Sequence, residues 1–161
     1  MFKNYITLTL AFVLTGCSSA SGPAYTSFQS GNVSNTGIYI YRPDALFGAT
    51  ASPPVSVDGK SLGSLKNNGF LFARVAPGSH TISISYRDLF IAKYRTFNVH
   101  VAQNQVAYVK VLWANGGEQR MHNAGSGKNP LYYSAPEYNW VYHQVSAGTA
   151  KSELHSLNFS Q

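Results

Sequence analysis

Between residues 80 and 86 the chain reads HTISISY, with Ile82, Ile84 and Tyr86 alternating against Thr81, Ser83 and Ser85. Strict period-two alternation suits an extended strand with one buried and one wet face, because successive side chains leave opposite sides of the backbone. The same texture recurs along the chain. GIYIYR ends at Pro43, Val55 and Val57 share a face ahead of Asp58-Gly59, and GFLFARV ends at Ala76-Pro77-Gly78. AKYRTFNVHVA sets Phe97, Val99 and Val101 against Asn98 and His100, and VAYVKVLWA is strongly apolar. Asp58-Gly59 suits a tight hairpin turn and Pro77-Gly78 a type II turn. Further turns are expected near Arg87-Asp88 and at Asn104-Gln105. Strands at about every 8–14 residues, with no long helical period, predict an all-β fold. The expected architecture is a single antiparallel β-sandwich of roughly seven to eight strands. An aromatic content of 14% beside only 11% charged residues fits a Tyr-rich β-protein better than a charged helical bundle.

The sandwich is expected over residues 37–146, with YNWVYHQV as its last strand. Residues 147–161 form a tail in which TAKSELHSL can make a short helix capped by Thr149. The chain opens differently. Lys3 precedes an apolar run of about ten residues, half of what a membrane-spanning helix needs. A charged start, a short apolar stretch and small residues before a break make a secretory signal, expected over 1–16. Residues 17–36 are rich in Ser, Gly, Asn and Thr, and are expected to form a flexible tether.

Leu14-Thr15-Gly16-Cys17 resembles the lipobox of bacterial lipoproteins, and Cys17 is the only cysteine in the chain. The resemblance implies cleavage between Gly16 and Cys17, then diacylglycerol on the sulfur and an acyl group on the new amino terminus. One acyl chain binds a membrane only marginally, whereas two or more anchor stably. Ser18 stands where an aspartate would favour inner-membrane retention, so the expected location is the outer membrane, with the domain facing the periplasm. A lipidated Cys17 leaves no thiol for a disulfide, a metal or catalysis. The net charge of +6 is spread along the chain without a basic run, and suits solubility and attraction to anionic headgroups. No nucleic-acid partner is expected.

The remaining candidates for chemistry are sparse. The histidines, His80, His100, His122, His143 and His155, never stand two to four residues apart, so no local metal-ligand pair exists. Asp58 is explained by its turn and Asp44 by the strand end after Pro43. GSGK at 125–128 lacks the spacing of a phosphate loop, and no G-x-S-x-G elbow occurs. Neither a catalytic residue nor a metal site is assigned, and no cofactor is expected beyond the covalent lipid. One feature stands out: Tyr132, Tyr133, Tyr138, Trp140 and Tyr142 cluster beside the long polar stretch from 115 to 136. Such residues are enriched at interfaces, stack on sugar rings, and also cover the open ends of sandwiches.

IYIYRPDALFGA at 38–49, VSVDGKSLGSLKNNGFLFARVAPGSHTISIS at 55–85 and the strand pair that follows resemble the DUF2846 domain of bacterial lipoproteins. VDGKSLGSL and VAPGSHTI are also similar to a PEGA-type sandwich module. The resemblance spans residues 37–113 and implies a lipid-anchored sandwich without an assigned reaction. The expected function is therefore a non-enzymatic structural or adaptor module with an envelope-protein partner. Two alternatives remain open. One is a lipoprotein recognising a glycan or peptidoglycan fragment through the Tyr/Trp cluster, and the other is an accessory lipoprotein of a secretion system.

Overall fold

The structure is a computed structural model that describes residues 19–26, 36–46, 48–88, 91–113 and 140–160. In chain order the elements are β1 (Gly37–Arg42), β2 (Pro54–Val57), β3 (Lys60–Ser64), β4 (Gly69–Arg74), β5 (Gly78–Asp88), β6 (Ile91–Val101), β7 (Val106–Trp113), β8 (Trp140–Val145), α1 (Ala147–Leu154) and β9 (Asn158–Phe159). They form a five-stranded sheet, β8-β7-β1-β4-β9, and a four-stranded sheet, β3-β2-β5-β6. The two pack face to face as a β-sandwich, with β3 lying near β4 and β6 near β7.

Side-chain parity builds the core between the sheets. Ile38, Ile40, Leu71, Val109 and Val111 come from the larger sheet and meet Val55, Val57, Ile82, Ile84, Phe97 and Val99 from the smaller one. The Thr81, Asn98 and His100 side chains of the alternate parity stay exposed, as the period-two pattern requires. At the first hairpin, Asp58 and Gly59 both take positive φ, +49° and +76°, the conformation that a primed two-residue turn demands.

A second apolar layer covers the outer face of the larger sheet. Tyr39, Tyr41, Phe70 and Tyr108 point away from the sandwich and are buried beneath Tyr25, Ala150, Leu154 and Leu157. Tyr39 stacks on Tyr108, its register partner, with ring centroids 5.7 Å apart. Tyr25 stands edge-on to Tyr39 at 5.4 Å and to Phe70 at 5.8 Å. Burial pushes the Tyr39 phenol up to about 12, with Tyr25 and Tyr108 adding to the shift, so it stays neutral.

Four expectations change. The sheets are not purely antiparallel: β1 runs parallel to β7, and β4 parallel to β9. Parallel neighbours join through long connections, here through several intervening elements of both sheets, which local alternation does not register. Pairing of β5 with β6 continues to Asp88 opposite Ile91, so Arg87 and Asp88 belong to the strand and not to the turn expected near them. The helix begins earlier than expected, because Ser146 rather than Thr149 is its cap: Ser146 Oγ accepts from Thr149 N at 3.2 Å. The fourth change concerns the domain limits.

Residues 19–26, expected as tether, lie along the sheet edge. Ala20 N donates to Asn67 O at 2.9 Å, Tyr25 N to Leu157 O at 3.0 Å, and Phe159 N to Pro23 O at 2.8 Å. The domain therefore includes this strap and residues 147–160. Tyr25 supplies the reason, since it is the large apolar side chain that covers Tyr39 and Phe70. Gly69 marks the tightest point of the assembly. A Cβ there would overlap Ser160 Oγ and come within 2.8 Å of Ala20 Cβ. Gly69→Ala is expected to destabilise the protein by about 1–3 kcal/mol, the usual range for overpacking, and to speed hydrogen exchange at Ala20 and Ser160 before the sandwich core. Denaturant melts and amide exchange measure both.

Candidate functional site

Trp140 and Tyr142 open β8, at the edge of the larger sheet, with parity that turns both toward the sandwich core. They are 4% and 7% exposed, which takes them out of any contact surface. Trp140 meets Trp113, its cross-strand partner, edge-on with centroids 4.9 Å apart, and Tyr142 stacks on Phe97 of the opposite sheet at 3.6 Å. Tyr132, Tyr133 and Tyr138, together with Gly16 and Cys17, lie outside the described residues.

The ionic features that the structure brings together are ones the sequence did not announce. Arg42 is 1% exposed. Its Nη1 donates to Ala51 O and its Nη2 to Gly48 O, both at 2.7 Å, and its guanidinium sits 4.7 Å over the Trp140 ring. Its Nε has no hydrogen-bond partner among the described residues. Burial pulls its pKa down, with Asp44 opposing that shift. The group ties the β1–β2 connection to the core. One signal for it existed: position 42 shares parity with Ile38 and Ile40, so the strand pattern itself sends it inward.

A second cluster joins α1 to the larger sheet. Glu153 accepts Tyr41 Oη–H on one carboxylate oxygen and Lys110 Nζ–H on the other, each at 2.5 Å. Burial works against the Glu153 charge, but the bonds from Lys110 and Tyr41 and the Lys110 charge outweigh it and hold the carboxyl below its ordinary range. Burial, then the bond to Glu153 and its charge, push the Tyr41 phenol far up. His143 stands opposite Lys110, and burial and that charge both lower its pKa. These partners come from three elements spread over 112 residues, a separation that no local motif bridges.

His80 and Asp58 form the third. His80 Nδ1 lies 2.7 Å from Asp58 Oδ2 and its Nε2 lies 2.7 Å from Ala76 O, while Thr81 N donates to Asp58 Oδ1 at 2.9 Å. Both ring nitrogens face acceptors, a geometry that suits the imidazolium. Burial opposes that charge, but the bonds to Asp58 and Ala76 and the Asp58 carboxylate raise the pKa. The pair staples the Asp58-Gly59 turn to β5. Among the described residues no group of three His, Cys, Asp or Glu side chains could hold a metal ion.

Glu153 and His80 carry opposite pH signatures. Glu153, held below its unfolded value, contributes stability that is present above about pH 4.3 and is lost as pH falls through its folded pKa. His80, held above its unfolded value, contributes stability that is full below about pH 6.5 and is lost as pH rises through its folded pKa. Melting temperatures across pH 3–9 are expected to lose the acid-side slope in part with Glu153→Gln, and the neutral-to-alkaline slope in part with His80→Gln.

Comparison with known proteins places these features in a family without supplying a role. No curated protein and no solved structure matches the chain. The model of DUF2846, a protein family of unknown function, matches residues 32–126, which is more than half of the chain and includes β1 to β7. The protein belongs to the DUF2846 family.

Proposed function

We propose that this protein is a lipid-anchored, non-enzymatic module of the bacterial envelope that offers a sandwich edge to another envelope protein. The supporting observation is β6. This strand of 11 residues is the outermost of the four-stranded sheet and is paired only on its β5 side among the described residues. An edge strand of that length can accept an extended segment through main-chain hydrogen bonds, with side-chain contacts supplying selectivity. Tyr94, 69% exposed, and the exposed Thr96, Asn98 and His100 are the side chains that such a segment would meet.

Anchoring is supported by the sequence Leu14-Thr15-Gly16-Cys17 and gives the edge its use. A module confined to a membrane surface meets its partners at raised local concentration, so contacts too weak in solution become productive. The outer membrane, with the domain on the periplasmic side, is the location proposed. The polar contacts support the non-enzymatic reading, since each has a structural duty: Arg42 holds a loop, Glu153 a helix, and His80 a turn.

Cys17→Ser is expected to leave an uncleaved, unacylated precursor, visible as a mass shift and as failure to incorporate labelled fatty acid. Normal processing of that variant would sink the anchor. A photo-crosslinker at Asn98 is expected to capture one dominant envelope protein in intact cells, while the same probe at the exposed Lys151 of α1 captures none. Equal, diffuse labelling at both positions would remove the adaptor role.

A further inference from the structure

The place where the chain enters the domain is fixed by one buried residue. Asn67 is 3% exposed and forms a bridge with Ser19, and its carbonyl accepts Ala20 N–H at 2.9 Å. Its side chain is committed to a different segment: Oδ1 accepts Ala45 N–H at 3.1 Å, and Nδ2 donates to Asp44 Oδ1 at 2.6 Å. The start of the strap and the 44–46 turn are thus held on opposite sides of one asparagine. Gly22 N, donating to Phe159 O at 3.1 Å, and Tyr25 N, donating to Leu157 O at 3.0 Å, pin the rest of the strap.

Cys17 stands two residues before Ser19. Extended chain covers at most about 3.6 Å per residue, so the Cys17 backbone is confined to within about 7 Å of Ser19. A lipid on that sulfur therefore leaves the protein beside Asn67, and the domain has no long leash. The same place carries Leu46, which is 87% exposed and directly follows Ala45. Tyr94, the other large apolar side chain exposed among the described residues, belongs to β6, on the side of the sandwich away from β4 and β9.

We propose that the face formed by Ser19, Asn67 and the 44–46 turn is seated on the lipid bilayer, with Leu46 entering the headgroup–acyl boundary beside the acylated Cys17. This rests on the lipid anchor proposed above and deepens it, because it converts an anchor point into an orientation. Among the described residues, the charged neighbours of Ala45 and Asn67 in the chain are Asp44 and Lys66, of opposite sign, so apolar contact and the acyl chains hold the seat, without dependence on anionic lipid. The seat turns β6 away from the membrane and toward soluble partners.

The test uses full-length, processed protein reconstituted in phosphatidylethanolamine–phosphatidylglycerol vesicles. Nitroxide labels are placed singly at Leu46→Cys and at Thr96→Cys on β6, and their collision with oxygen, which concentrates in lipid, is compared with that of a water-soluble nickel chelate. Position 46 is expected to favour oxygen severalfold over position 96, unchanged when phosphatidylglycerol is omitted. Acylated protein that floats with the vesicles but shows position 46 as accessible to nickel as position 96 overturns the seat and leaves the anchor standing. Protein that carries no acyl mass and does not float overturns both. Oxygen preference that vanishes without phosphatidylglycerol overturns the apolar seat in favour of electrostatic attraction.

Discussion

Everything in this protein is arranged around the burial of β1 on both faces. All six of its residues are buried, and it is hydrogen-bonded to β4 on one side and β7 on the other. A strand in that position cannot alternate apolar with polar; it must alternate one kind of apolar side chain with another. Ile38 and Ile40 therefore fill the sandwich, while Tyr39 and Tyr41 fill the layer beneath α1 and the strap. Two cores with different chemistry share one backbone. The one between the sheets is mostly aliphatic, and the outer one is rich in phenol groups, of which Tyr41 reaches Glu153.

That division explains where the polar groups went. A buried guanidinium costs free energy unless its donors are satisfied, and Arg42 finds two backbone carbonyls and an aromatic face instead of a carboxylate. Glu153 does the converse on the other side of the sheet, using a lysine from β7 and a phenol from β1 to hold a helix of only eight residues. A helix that short has little stability of its own, so its place on the sheet depends on Ala150 and Leu154 beneath it and on this polar clasp beside them.

Much of the sandwich was legible in the sequence because strands with one wet face announce themselves. β5 and β6 alternate cleanly, and the Asp58-Gly59 turn has the positive φ values its residues suit. The parallel pairs were not legible, since nothing in GIYIYR names VAYVKVLW as its neighbour across five intervening strands. The strap was hidden by its composition: Ser, Gly and Pro surround Tyr25, and a single aromatic residue does not make a period. Two members of the aromatic cluster, Trp140 and Tyr142, are buried for a related reason. Trp140 and Tyr142 share a parity that turns them inward, and clustering in sequence conceals which face each residue takes. The polar contacts on Asn67 were out of reach, because they join residues 19, 20, 44 and 45 through a side chain far from all of them.

The strap and β9 have a consequence for the order of events during synthesis. Residues 20–25 bond to residues 157–159, so the first described segment of the chain is completed by the last. Pairings of such sequence separation close late, after the loop entropy between them has been overcome. The outer aromatic layer cannot seal until residues 157–159 are available to hold the strap, and until then Tyr39 and Phe70 lack their cover of Tyr25 and Leu157.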